Sequence, residues 1–168
     1  MIDEDILVDT LLIKFAPFSF DDFQAYAKRA VRSYADDKVS AGNWKSETAF
    51  RQAEQEFNRL LPDGVDTKDN YLYWIVASEE TGEKNVGNIW YASNLSDSHD
   101  IFIWDFEIFE SFRRQGYASE AIDLLVKRCR ELGTRSISLH VFGENHAARM
   151  LYEKLGFKET NVMMTKKI

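Results

Sequence analysis

Cysteine is almost missing from this chain of 168 residues. Cys129 stands alone, which excludes an intramolecular disulfide and a multi-cysteine zinc site and fits a reducing compartment. Proline occurs only at positions 17 and 62, so a disordered or collagen-like chain is not expected. No apolar run approaches the ~20 residues that a membrane span needs. The acidic start, Met1-Ile2-Asp3-Glu4-Asp5, leads into no long apolar stretch of the secretory-signal kind. Cationic charge is scarce as well: 21 Lys and Arg face 28 Asp and Glu, a net charge of −7. That balance argues against nucleic acid as a main partner and leaves a cationic amine open, although charge of this size also serves solubility. His99, His140 and His146 lack ligand spacing, so no metal site is expected. Neither Gly-x-x-x-x-Gly-Lys-Ser/Thr nor Gly-x-Gly-x-x-Gly occurs, which sets aside two common phosphate loops. The expectation is a cytoplasmic protein with no membrane or nucleic-acid partner; its oligomeric state is open, a homodimer included.

What is present is a globular composition, 45% hydrophobic and 14% aromatic, with no repeat or linker, read as one domain over residues 1–168. Residues 6–16 read as a first strand that Pro17 ends. Ser19 and Asp22 form a capping box before a helix with Phe20, Phe23, Ala27, Ala30, Val31 and Tyr34 on one stripe. A second helix runs from about Trp44 to Leu61 and stops at Pro62-Asp63-Gly64. The period then changes: residues 71–78 and 86–92 form an antiparallel hairpin around a polar turn, and residues 101–109 a third strand interrupted by Asp105 and Glu107. A helix from Gly116 to Leu132 turns Ala121, Ile122, Leu125, Cys129 and Leu132 inward. Ser136 to Phe142 alternates as a strand, Asn145 caps a short helix ended by Gly156, and Asn161 to Lys167 supplies a last strand. Hairpins in the first half and strand–helix alternation in the second imply a mixed α/β sheet with helices on both faces.

The chemistry gathers at Arg113-Arg114-Gln115-Gly116-Tyr117-Ala118. Small residues at a strand-to-helix turn allow close approach to the backbone, and the first amides of the helix have no intrahelical partner. With two guanidinium groups nearby this is an anion seat. Taken alone, the glycine serves equally well as a purely conformational device.

A second segment, Asn145-His146-Ala147-Ala148-Arg149-Met150-Leu151-Tyr152-Glu153-Lys154-Leu155-Gly156-Phe157, changes the weighing. Together the two segments closely resemble the GNAT superfamily of N-acetyltransferases. Its acetyl-CoA loop, Arg/Gln-x-x-Gly-x-Gly/Ala, is matched by Arg113, Gly116 and Ala118. Its Asn-x-x-Ala-x-x-Leu-Tyr-Glu-Lys-Leu-Gly-Phe segment is matched from Asn145 to Phe157. The likeness is specific over about residues 101–167, whereas the first 100 residues agree only in element order.

The resemblance implies a twisted, mostly antiparallel mixed sheet of about six to seven strands with about four helices. It implies acetyl-CoA as cosubstrate, no metal, and direct acetyl transfer to a primary amine of a small molecule or protein. A non-catalytic acyl-CoA-binding or sensing module is the alternative. Acetyl-CoA contacts are implied for Ile108, Phe109, Glu110, Arg113, Arg114, Gln115, Gly116, Tyr117, Ala118, Ser119, Asn145, Ala148 and Tyr152. Within this set a backbone amide at 108–110 would meet the thioester carbonyl, and amides of 114–119 the pyrophosphate. Asn145 would bond the pantetheine arm, or cap its helix, or both. Tyr152 would protonate the leaving thiolate; a core tyrosine is the plainer role. Asp105 and Glu107 lie two apart and share a strand face, so one of them could take the amine's proton. Glu107 ranks slightly ahead as closer to the thioester, and a merely solvated or cation-selecting pair is the competing reading. His140, Glu110 and Glu144 are weaker candidates. Trp74, Trp90 and Trp104 either line an acceptor pocket or belong to the core.

Overall fold

A computed structural model describes residues 12–80, 82–94 and 97–166. The elements run β1 (Leu12–Pro17), α1 (Phe20–Ser40), α2 (Ser46–Leu60), β2 (Asn70–Glu79), β3 (Gly82–Asn94), β4 (Asp97–Ile108), α3 (Tyr117–Glu131), β5 (Ser136–Leu139) and α4 (His146–Lys154). The five strands lie in sequence order; β1 to β4 pair antiparallel, and β5 joins β4 in parallel across the α3 crossover. The mixed α/β class with four α-helices is as expected. The sheet has five strands among the described residues, fewer than six or seven.

The missing strand is at the carboxyl end: residues 157–166 adopt no strand, and Lys167 lies outside the described residues. Residues 161–166 are all exposed, Val162, Met163 and Met164 among them, so the segment buries no apolar side chain that would hold it against the sheet as a strand. At the amino end, residues 6–11 of the expected first strand lie outside the described residues.

Alternation along the strands sorts the core onto two faces. Ile75, Ala77, Ile89, Tyr91, Ile101 and Ile103 pack with Ala121, Ile122, Leu125 and Cys129 of α3. On the other face Leu72 and Trp90 meet Phe18, Phe23 and Tyr26 of the α1 side, with Trp74 and Phe57 packed against them. α1 begins at the expected capping box, Ser19 Oγ accepting from the Asp22 N–H and Asp22 Oδ2 from the Ser19 N–H. Three expected core residues are corrected: Phe50, read on the apolar stripe of the second helix, is 45% exposed and lies under the Arg32 guanidinium. Phe20 is 67% exposed because it opens the helix ahead of the buried stripe, and Leu132 is 82% exposed because it follows α3's last turn as its C-cap. The 79–85 turn is also tighter than expected, with Glu79 paired to Gly82. No helix among the described residues is long and apolar enough to cross a membrane.

Candidate active site

β4 and β5 pair only from Asp100–Ser136 to Ile103–Leu139. β5 was expected to run on to Phe142, but it leaves the sheet at Leu139. At the same level β4 bulges: Trp90 stands opposite Asp105 and Tyr91 opposite Ile103, leaving Trp104 as the extra residue. A bulge bends its strand and sharpens the local twist, so β4 turns away where its parallel partner stops. The gap opens into a cleft of about 1050 Å³ lined by β4, the start of α3, the segment after β5, α4 and the inner face of α1.

On one side of the cleft lies the strand-to-helix turn. Arg114 has φ 63° and Gly116, the N-cap of α3, has φ 92°; these left-handed residues swing the chain from β4 into the helix. Ser119 N–H donates to Gly116 O at 3.0 Å, whereas the N–H groups of residues 114–118 donate to no backbone carbonyl among the described residues. An anion is the ligand that such amides at a helix start accept. Arg113 and Arg114 line the cleft, but Arg113 Nε also donates to Ile108 O at 2.9 Å and clasps the strand end.

That clasp reports the direction of the Ile108 peptide. Phe109 N–H donates to Val86 O at 2.9 Å, and Gly87 stands opposite Ile108. Antiparallel alternation then turns the Ile108 N–H and C=O away from β3, toward the side β5 has vacated. Of the residues expected to offer an amide to a carbonyl oxygen, Phe109 has its amide engaged and Ile108 faces the opening.

A polar network forms the other side. Asp105 Oδ2 accepts from Tyr26 Oη at 2.8 Å and from Asn88 Nδ2 at 2.8 Å, while Asn88 Oδ1 accepts from Arg29 Nη2 at 2.6 Å. Arg29 only donates and a carboxylate only accepts, so the orientation of the Asn88 amide is chemically determined. Arg29 Nε also lies 3.6 Å from Glu107 Oε2, and its guanidinium lies over the Tyr26 and Phe109 rings. Burial raises the Asp105 carboxyl above the ordinary range, against the hydrogen bonds from Tyr26 and Asn88 and the charge of Arg29. Burial likewise raises Glu107, with Arg29 opposing.

Tyr152 of α4 lines the same cleft, its ring edge-on to Phe157 at 5.4 Å. Burial first, then the charge of Asp105, push its phenol up to about 12, so it is protonated at neutral pH. Asn145 Oδ1 accepts from Ala148 N–H at 3.1 Å, the N-cap role; both residues line the cleft.

Among the expected site residues, Asp105, Glu107, Ile108, Arg113, Arg114, Gly116, Tyr117, Ala118, Ser119, Asn145, Ala148 and Tyr152 line this one cleft. Phe109, Glu110 and Gln115 do not: Phe109 lies against Arg29 and Trp74, Glu110 is exposed, and Gln115 Nε2 donates to Ser111 O. His140, Trp90 and Trp104 also line it, whereas Trp74 does not. Sequence reasoning missed Tyr26, Arg29, Gly87 and Asn88. The available signal was a polar Gly-Asn pair inside an apolar strand, and a tyrosine three residues after Phe23 on the buried helix face. Among the described residues no group of three or more His, Cys, Asp or Glu is placed to hold a metal ion.

A sheet opened between two parallel strands, with helix-start amides that meet no backbone carbonyl among the described residues on one side and paired carboxylates on the other, suits group transfer from an anionic donor. The model of the acetyltransferase (GNAT) family matches residues 30–157, and the chain belongs to that family. It is similar to the uncharacterized N-acetyltransferase YycN of Bacillus subtilis (strain 168), with 38% identity over 160 residues, 94% of this chain and all of that one. It is also 34% identical to the uncharacterized N-acetyltransferase YdgE of the same organism, over 88% of this chain and 93% of that one. The crystal structure of YycN superposes with a TM-score of 0.86 at 37% identity, covering 94% of this chain and 99% of YycN. A Pyrococcus furiosus structure at TM-score 0.61 and 21% identity, covering 94% of this chain and 99% of its own, shares the fold. The chain is an acyltransferase of a family that generally uses acetyl-CoA.

Proposed function

We propose that this protein moves an acetyl group from acetyl-CoA directly to a primary amine while both substrates are bound. The observation that carries the reading is the convergence on one cleft of unpartnered amides at the start of α3, the Tyr152 phenol, and the β4 carboxylates. In this reading residues 114–118 and the two arginines seat the pyrophosphate by hydrogen bonds and charge. The Ile108 amide meets the carbonyl oxygen as negative charge develops on it. A β4 carboxylate receives a proton from the amine, the neutral nitrogen attacks the carbonyl carbon, and Tyr152 donates its proton to the departing thiolate. Asn145 keeps its capping bond and has its Nδ2 to offer the pantetheine arm.

The test is thiol release from acetyl-CoA against a panel of amines: protein amino termini, lysine peptides, polyamines, aminoglycosides and amino acids. Product is identified by mass spectrometry. Release that depends on one amine class, with acetylated amine as product, supports the reading. Tight acetyl-CoA binding with no release for any amine contradicts it and indicates a sensing module.

A further inference from the structure

Sequence spacing ranks Glu107 slightly ahead of Asp105 as the proton acceptor; the network around them argues the reverse. Among the described residues both side-chain donors to Asp105 go to Oδ2, one from Tyr26 and one from Asn88, so Oδ1 meets no side-chain donor there; the Phe106 backbone N–H also donates to this carboxylate. The two anchors are themselves buried. Tyr26 is 1% exposed and Asn88 0%, and the Tyr26 ring packs against Phe18 and Phe57. Asp105 stands beside the β4 bulge, in the cleft that Tyr152 lines. Glu107, by contrast, has the Arg29 guanidinium 3.6 Å from its carboxylate.

We propose that Tyr26 and Asn88 are positioning residues that hold Asp105 by one oxygen and present the other to the acceptor, making Asp105 rather than Glu107 the group that takes the ammonium proton. The inference rests on the amine-acetylation reading above. In balance, one proton of R–NH3+ passes to Asp105 Oδ1 and on to solvent. The amine lone pair forms the C–N bond as the C–S bond breaks. The thiolate takes the Tyr152 proton, and the second proton lost from nitrogen restores the phenol through solvent. Arg29 then has two tasks, orienting the Asn88 amide from its oxygen side and occupying Glu107.

The groups that face Asp105 are Tyr26, Arg29 and Asp37 from α1, Glu107 from its own strand, and Tyr152 from α4. From α2, Glu56 lines the cleft and accepts from the Tyr34 hydroxyl. Because the Tyr26 hydrogen bond favours the charged carboxylate, its removal raises the pH at which Asp105 ionises.

The experiment is the kcat/KM–pH profile of wild type, Tyr26→Phe, Asp105→Asn and Glu107→Gln with the best amine from the panel. It is accompanied by carboxyl 13C NMR of aspartate-labelled protein, with Asp105 assigned by its loss in Asp105→Asn. Tyr26→Phe keeps the buried ring; the acidic limb and the Asp105 resonance are expected to move up together by at least about half a pH unit. Asp105→Asn is expected to lose the limb and Glu107→Gln to retain one. A limb that stays in place in folded Tyr26→Phe, or that vanishes in Glu107→Gln and survives in Asp105→Asn, overturns the assignment while leaving acetyl transfer standing. If no amine is acetylated, the underlying reading fails and the assignment with it. NMR then reports only whether Tyr26 tunes Asp105.

Discussion

Tyr152 on α4 and Asp105 on β4 line the same cleft, near enough that the carboxylate's charge adds to burial in pushing the phenol up to about 12. The two groups belong to elements with no pairing between them, brought together because β5 ends at Leu139. A phenol so placed is a donor and not a base at neutral pH. Tyr152→Phe is therefore expected to lower kcat by about 100-fold or more while acetyl-CoA affinity changes by less than about twofold. Steady-state kinetics with calorimetry on the same protein check it, and an unchanged kcat removes Tyr152 as the acid.

The same raised value predicts a pH dependence of stability. The folded pKa lies above the ordinary value of 10.0, so the folded protein holds the Tyr152 proton where the unfolded chain has lost it. The stabilisation from the neutral phenol is intact below about pH 10 and is lost as pH rises to about 12. A two-unit gap corresponds to roughly 2–3 kcal/mol at full effect. Urea melts at pH 9 and 11 are expected to show a larger loss in wild type than in Tyr152→Phe; equal losses contradict it.

Gly116 carries two burdens that substitution separates. Gly116→Ala is expected to destabilise by about 1 kcal/mol, because φ 92° disfavours a Cβ. Gly116→Glu adds a carboxylate beside the free amides of residues 114–118, and acetyl-CoA binding is expected to weaken by at least about 10-fold. Calorimetry showing equal affinity in the folded Glu variant contradicts the pyrophosphate assignment.

Gly87 permits the close approach of β3 to the end of β4. A Cβ there meets Glu107 O at 2.1 Å, a clash with backbone that only a strand shift relieves. Gly87→Ala is expected to destabilise by about 1–3 kcal/mol. It is also expected to lower kcat more than it raises KM, since Ile108 stands directly opposite. Denaturant melts and kinetics on one preparation check both.

The elements that sequence discloses best are those whose signal is local. The Ser19–Asp22 box, the α3 period around Ala121, Leu125 and Cys129, and the Asn145 cap all depend on residues within one or two turns, and all are present. The turn proposed to seat the anion is legible for the same reason: Arg113 to Ala118 form one turn. The two carboxylates are legible as well, but the residues that anchor them are not, because the network is assembled from α1, β3 and β4; Tyr26 and Asp105 lie 79 positions apart. The alternation of Asp105 and Glu107 revealed a shared face, but their difference comes from Arg29 and Asn88, which only tertiary pairing brings near. Strand ends are not legible where pairing decides them: Ser136 to Phe142 alternates throughout, yet only its first four residues find β4.

The most direct measurement follows the acetyl group itself. Protein, 13C-acetyl-CoA and the best amine are mixed under single-turnover conditions, quenched at intervals, and analysed by mass spectrometry for labelled amine, free CoA and labelled protein. Labelled amine and CoA are expected to rise together in equal amounts, with no labelled protein at any time. Label accumulating on the protein before it reaches the amine, or remaining on CoA throughout, contradicts direct transfer.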